Sequence, residues 1–251
     1  MRKRLPIVEL QYLNIRIFDE KQASVAFAAN NLNFLAFATS YLLQPNSLDE
    51  RMVEDPEIKS AKRAMRRAYN ATVAGFAGKS AASSAIVSNL QSSELYSSAL
   101  MLVCFMPMEC EPNIMPLMMH WLTVGRRLLL PVFDRDRKSY ALAEVQGLDE
   151  RYLTKGNYGI LEPRDDIPRQ QPPYTFSVPA LWLVPGIAFT RTGLRLGRGG
   201  GYYDRLLEGA SGVKIGVCFD CQLAESLPVT WQDATMDYIL TESCITKCTS
   251  N

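Results

Sequence analysis

The chain is poor in histidine: His120 is alone among 251 residues. That excludes a multi-histidine metal centre and leaves any nucleophile–base triad resting on one residue. Charge of one sign is missing as well. Lys and Arg number 27 and Asp and Glu 26, a net charge of +1, so the bulk field that attracts nucleic acid is absent. A negatively charged small ligand has to be met by local basic groups. There is also no long hydrophobic run. Residues 23–43 are apolar and small, but Asn30, Asn31 and Asn33 interrupt them, whereas a spanning helix needs about 20 predominantly apolar residues. A secretory signal would place its apolar run nearer the start. We therefore expect no nucleic-acid partner, no membrane span and a cytoplasmic location.

Without a secretory signal, the six cysteines are not expected to form disulfides. Cys218, Cys221, Cys244 and Cys248 invite a zinc reading. Against it, residues 215–219 have the look of a buried strand, in which cysteine serves as a small core residue.

At 47% hydrophobic, the chain can fill a sizeable core, and its length suits one domain. Residues 1–55 differ in character from the rest. They read as a weakly ordered extension, or as the product of a start codon assigned too early. The alternative is an organellar transit peptide, which would make the protein mitochondrial; Glu9, Asp19 and Glu20 count against it. Asp55 and Pro56, followed by Glu57, mark a helix start. Residues 58–76 then read as a basic amphipathic helix, and 80–95 as a second. The uncharged run 99–105 fits a buried parallel strand. A helix is expected over 113–124, strands over 127–133 and 140–145, and a proline-rich loop over 161–179. A further strand follows at 180–184, a helix at 202–208, and strands at 213–219 and 238–241. Alternating strands and helices indicate an α/β fold: a layered, mostly parallel sheet flanked by helices, forming a single catalytic domain over residues 56–251.

The most informative stretch runs from 183 to 207. Eight of the 15 glycines lie between Gly186 and Gly212, and Gly197, Gly199, Gly200 and Gly201 stand just before a helix. Glycine permits positive φ and close backbone approach to a ligand, and amides at a helix start bind phosphate oxygens. Arg195 and Arg198 flank these glycines and can pair with phosphate. Asp204, one turn into the helix, suits a magnesium ion beside a polyphosphate. The stretch lacks the Gly-Lys-Ser/Thr ending of a Walker loop, and it lacks both the spacing and the distant acid of a dinucleotide fold.

The string Pro185-Gly186-Ile187-Ala188-Phe189, then Arg195-Leu196-Gly197-Arg198-Gly199-Gly200-Gly201-Tyr202-Tyr203-Asp204, resembles the signature of the 5-formyltetrahydrofolate cyclo-ligases, also called methenyltetrahydrofolate synthetases. Other segments match in order. Lys62, Arg63, Ala64, Met65 and Arg66 resemble the family's nucleotide-touching Lys-x-x-Leu-Arg motif. Residues 105–111 resemble its folate-side segment, with Met106 and Glu111 at the substrate positions. Residues 158–163, beginning at Tyr158, resemble its central Gly-Ile-x-x-Pro element. Residues 227–242 resemble its C-terminal end, with Asp233 at the position of a second magnesium carboxylate. There are two departures. Thr190 replaces an acid, and Pro112-Asn113-Ile114 replaces the acid and threonine that usually follow the glutamate.

The resemblance covers roughly residues 57–242. It implies an enzyme that converts 5-formyltetrahydrofolate and ATP, with Mg2+, into 5,10-methenyltetrahydrofolate, ADP and phosphate through a phosphorylated formyl group. The residues it implies for ATP are 62–66 and 195–203, and for the folate Met106, Glu111, Tyr158 and 198–202. Asp204 and Asp233 would hold the metal, and Arg198 would act on the transferring phosphoryl group. A monomer is expected. Two rivals stay open: a nucleotide-binding protein without turnover, and an isomerase or transferase of sugar phosphates or coenzyme A on a related fold.

The extension yields a first expected outcome. Deleting residues 1–55 should leave cyclo-ligase activity nearly intact, read from methenyl-folate absorbance. Loss of folding on truncation would show instead that residues 23–43 pack on the core.

Overall fold

The structure is a computed structural model, and it describes residues 55–249 except 136, 157–158, 229 and 231–232. Apart from Asp55, the proposed extension lies outside the described residues. The chain enters α1 (Pro56–Gly75), α2 (Lys79–Gln91) and α3 (Glu94–Ser98), then β1 (Met101–Val103), α4 (Met115–Thr123), β2 (Arg127–Asp134) and β3 (Ser139–Val145). Short strands β4 (Leu153–Lys155), β5 (Leu161–Pro163) and β6 (Arg169–Gln170) precede β7 (Ala180–Pro185), β8 (Ala188–Thr190) and β9 (Arg195–Leu196). Helix α5 (Tyr202–Leu207) is followed by β10 (Val213–Val217), β11 (Leu223–Ala224), β12 (Tyr238–Leu240) and β13 (Ile245–Lys247).

The local signals explain most boundaries. Asp55 caps α1, its side chain accepting from the Glu57 amide at 2.8 Å, and Pro56 occupies the first turn, where a missing N–H costs nothing. The single helix expected over 80–95 is broken in two. Ser93 intervenes: its hydroxyl donates to the Leu90 carbonyl and accepts from the Tyr96 amide, starting α3. The loop expected over 161–179 carries two short edge pairings, β5 on β4 and β6 on β3.

The large sheet runs β13-β12-β10-β7-β1-β2-β3-β6. Strands β12, β10, β7, β1 and β2 are parallel, and the outer strands are antiparallel. The middle strands are apolar on both faces because both faces are covered. Leu102, Leu181, Leu183, Ile215 and Val217 point into one core with Ile86, Leu90 and Trp121 from the helices. Met101, Val103, Trp182 and Val184 point into the other, with Leu206, Leu207 and Phe189. Cys104 and Cys218 are core residues, and burial pushes both thiols well up from the ordinary cysteine range. Both thus stay protonated and unreactive at neutral pH.

Strand order fixes where a ligand can sit. From β1 the chain crosses through α4 to β2 on one side; from β7 it crosses through α5 to β10 on the other. Neighbours β1 and β7 therefore form a switch point, and the loops leaving their carboxyl ends diverge around a crevice.

Phe189, fully buried, anchors the region beneath that crevice. A Cβ added at Gly216 would lie 2.5 Å from its ring and 3.0 Å from Ile239 Cδ1. Gly216→Ala should therefore overpack the sheet and destabilise the protein by about 1–3 kcal/mol, seen as a lower denaturation midpoint with an unchanged denaturant slope. An unaltered midpoint would mean that the ring moves aside at no cost.

Candidate functional site at the switch point

Three loops and two helices build the site. The first loop, residues 104–111, leaves β1 and ends in Glu111, which is 8% exposed. Its Oε2 accepts from the Met108 amide at 3.0 Å, which fixes the carboxylate within the turn. The second loop follows β7 and contains a hairpin that periodicity did not show: β8 and β9 pair antiparallel, with β11 alongside. Thr190, standing where an acid was expected, closes this hairpin. Its hydroxyl accepts from the Leu194 amide at 3.1 Å and shares a 2.8 Å bond with Thr192.

After β9 come the glycines. Gly199 (φ 100°) and Gly201 (φ 62°) adopt backbone that other residues rarely tolerate. Arg66 of α1 braces the loop, Nε donating to the Gly197 carbonyl at 2.8 Å, with its guanidinium under Gly199. Arg198, Gly199 and Gly200 face solvent. Tyr202 opens α5 and packs edge-on against Phe133 and Tyr140, at centroid distances of 5.9 and 5.2 Å. Tyr203 is packed between the two cores, and burial pushes its phenol well above the usual range.

Three cation–carboxylate pairs hold the parts together. Arg198 Nη2 donates to Glu111 Oε1 at 2.9 Å and to Cys110 Sγ at 3.1 Å, joining the two loops across the switch point. Lys62, buried in α1, donates to Asp233 Oδ2 at 2.8 Å, and the amide and hydroxyl of Thr230 donate to the same oxygen. Burial alone would raise the Asp233 pKa, but these bonds outweigh it and hold the carboxyl below its ordinary value. Arg195 Nη2 donates to Asp204 Oδ1 at 2.6 Å. Asp204 Oδ1 also accepts from the Ala234 amide at 3.2 Å, so Asp204 and the residue next to Asp233 are in contact.

Of the residues singled out in sequence, Lys62, Arg66, Arg195, Gly197, Arg198, Glu111, Asp204 and Asp233 form this connected network. Leu196 and Met65 pack in a small cluster beneath the hairpin, with Ile187 and Leu227, and Met106 packs against the main core. Arg63 and Ala64 are exposed on the outer side of α1. Tyr158 lies outside the described residues. Phe133, Tyr140 and Thr230 were missed, although the position of Phe133 at the carboxyl end of a parallel strand was a usable signal. The lone histidine bonds to Tyr96 (2.6 Å) on α3.

Among the described residues, no third His, Cys, Asp or Glu joins Asp204 and Asp233 to make a metal cluster. Each carboxylate has one oxygen committed to protein donors, Asp204 through Oδ1 and Asp233 through Oδ2. The opposite oxygens suit a magnesium ion, which takes one or two carboxylates and completes its octahedron with water and phosphate.

A sequence model of the 5-formyltetrahydrofolate cyclo-ligase family matches residues 50–242. The chain belongs to that family. A 5-formyltetrahydrofolate cyclo-ligase of Mycolicibacterium smegmatis is 34% identical over 146 residues, covering 55% of this chain and 72% of the relative. One from Escherichia coli K12 is 31% identical over 145 residues, covering 55% and 76%. A relative described as mitochondrial, from Arabidopsis thaliana, is 27% identical, covering 49% and 50%. Among solved structures, the 5,10-methenyltetrahydrofolate synthetase of Aquifex aeolicus superposes with a TM-score of 0.65 at 29% identity, covering 76% of this chain and 94% of that one. A Mycoplasma pneumoniae synthetase structure at 18% identity and TM-score 0.56 supports the fold. Among the described residues, no helix is long and apolar enough to cross a membrane.

Proposed function

We propose that this family member closes the ring of 5-formyltetrahydrofolate at the expense of ATP. The observation that carries the reading is the Arg198–Glu111 pair, which brings the glycine loop and the folate-side loop together at one switch point. ATP lies along the glycines with its phosphates among the amides of 197–201, held by Lys62, Arg66 and Arg198. The pterin presents its ring donors to Glu111, whose oxygens each keep a lone pair beyond their present bonds. Tyr202 and Phe133 provide an aromatic wall beside it. A cavity of about 660 Å³, lined by Lys79, Ser80, Ser83, Asn113 and Glu111 among others, offers room for the acidic end of the folate.

The chemistry asks for positioning and charge neutralisation more than for a protein nucleophile. The formyl oxygen takes the γ-phosphoryl group and ADP leaves. N10 then attacks the formyl carbon and gives up its proton to solvent. The C–O bond breaks, phosphate departs with the electron pair, and the methenyl bridge remains. Arg198 acts on both steps; what supports this is that it touches Glu111 while its side chain opens to solvent beside the glycines. Magnesium on Asp204 and Asp233 would neutralise the β- and γ-phosphate charge. No histidine is needed, which agrees with His120 being engaged by Tyr96.

The test is turnover of the purified protein with ATP, magnesium and 5-formyltetrahydrofolate, followed as methenyl absorbance and ADP. Product and ADP should form one to one. Arg198→Ala should lower kcat on the order of 100-fold, with a smaller change in ATP affinity, as removal of one transition-state donor does. Nucleotide binding without ring closure would favour the non-enzymatic rival. Unchanged kcat in Arg198→Ala would make Arg198 a ground-state anchor.

A further inference from the structure

The arginine that opens the glycine string does not face the crevice. Arg195 is 6% exposed, and each of its contacts is structural. Nη2 donates to Asp204 at 2.6 Å, and Nη1 donates to the carbonyl of Pro185, the last residue of β7, at 3.3 Å. Cζ lies 5.7 Å from the centre of the Tyr203 ring. The guanidinium fills the space beside Gly197, where a Cβ would lie 2.8 Å from Nη1; at Gly186 a Cβ would meet the Phe189 ring first, at 2.6 Å, and Arg195 Cγ at 3.3 Å. Gly197 is therefore small to admit an arginine, which differs from the usual reading of loop glycines as space for phosphate. Its Nε is buried without a hydrogen-bond partner among the described residues, a cost that a merely decorative side chain would not carry.

The contact that matters is with Asp204. That carboxylate receives both Arg195 and the Ala234 amide on Oδ1, which leaves Oδ2 outside these two bonds and holds residue 234, and with it Asp233, against the start of α5. One guanidinium thereby links the end of β7, the glycine loop, the helix and the segment before β12. We propose that Arg195 is a positioning residue, which orients Asp204 and Asp233 toward the magnesium of a bound nucleotide and makes no contact with phosphate. This rests on the nucleotide and magnesium reading above. Asp204 and Asp233 would supply the carboxylates: Arg195 sets which oxygen Asp204 presents, while Lys62 and Thr230 hold Oδ2 of Asp233. Removing a group that orients a metal ligand typically weakens metal binding about 10–100-fold.

The test uses binding, on the full-length protein. ADP affinity is measured by calorimetry with and without magnesium for the parent, Arg195→Met and Arg195→Lys. Without magnesium, Arg195→Met should bind ADP within about twofold of the parent. The gain in affinity on adding magnesium should fall at least tenfold, and millimolar guanidinium ion should restore part of it. Arg195→Lys, which cannot bridge Pro185 and Asp204 together, should behave in the same direction. In the Arg195→Met/Asp204→Asn double variant the loss should be no larger than in Asp204→Asn alone. A loss of magnesium-free ADP affinity equal to the loss with magnesium would overturn the proposal and make Arg195 a phosphate ligand. An unchanged magnesium gain would overturn it as well. If Arg195→Met fails to fold, the magnesium gain of Arg195→Lys, set beside that of Asp204→Asn, decides the matter by the same criteria. Failure of the parent itself to bind ADP would count against the nucleotide reading, which is a separate outcome.

Discussion

The ion pair between Arg198 and Glu111 is the contact on which the rest of the site depends. It spans two loops that are about 90 residues apart in the chain and meet only because β1 and β7 are neighbours in the sheet. Glu111 is buried while Arg198 is 44% exposed on its side chain. With the arginine half open to solvent, the attraction itself contributes little to stability. Its importance is geometric. Removing the arginine leaves a buried carboxylate without its charge partner, a state that proteins avoid, so Glu111 and the loop after β1 would have to readjust.

Electrostatically, the site resolves what composition left open. The chain as a whole is nearly neutral, yet Lys62, Arg66, Arg195 and Arg198 gather with Glu111, Asp204 and Asp233. Four positive and three negative side chains leave an excess of one positive charge, arranged in pairs instead of as a field. Such an arrangement suits an anion met by placed donors and glycine amides. Each arginine has a different task because each has a different exposure: Arg195 is enclosed, Arg66 is half-buried under the loop, and Arg198 is open to solvent.

Much of the fold was legible because its signals are local. Apolar runs marked β1 and β7 since both faces of the sheet are covered, and Asp55 with Pro56 marked the start of α1. The glycine string, with Arg198 and Tyr202, was legible for the same reason: positive φ and a helix start leave traces in adjacent residues. What stayed hidden was set by distant contacts. The β8–β9 hairpin depends on Thr190 bonding to Leu194 and on Gly193, whose carbonyl accepts from the Met236 amide. Asp233 had no local argument in its favour; it is carried to the site by Met236 on Gly193 and by Ala234 on Asp204. Arg195 and Arg198 look alike in sequence, three residues apart beside glycines, and only their burial separates them. The break between α2 and α3 shows the converse, a local cap at Ser93 overriding a continuous helical pattern.

The central claim is that this site holds a γ-phosphoryl group against the formyl oxygen of a folate, so that the oxygen leaves as phosphate. Isotope transfer tests it most directly. With 5-formyltetrahydrofolate carrying 18O in the formyl group, and unlabelled ATP and water, the inorganic phosphate released in one turnover should contain one 18O atom, read by mass spectrometry or by the isotope shift in its 31P resonance. Unlabelled phosphate, with the 18O recovered in water or retained on the folate, would contradict the account.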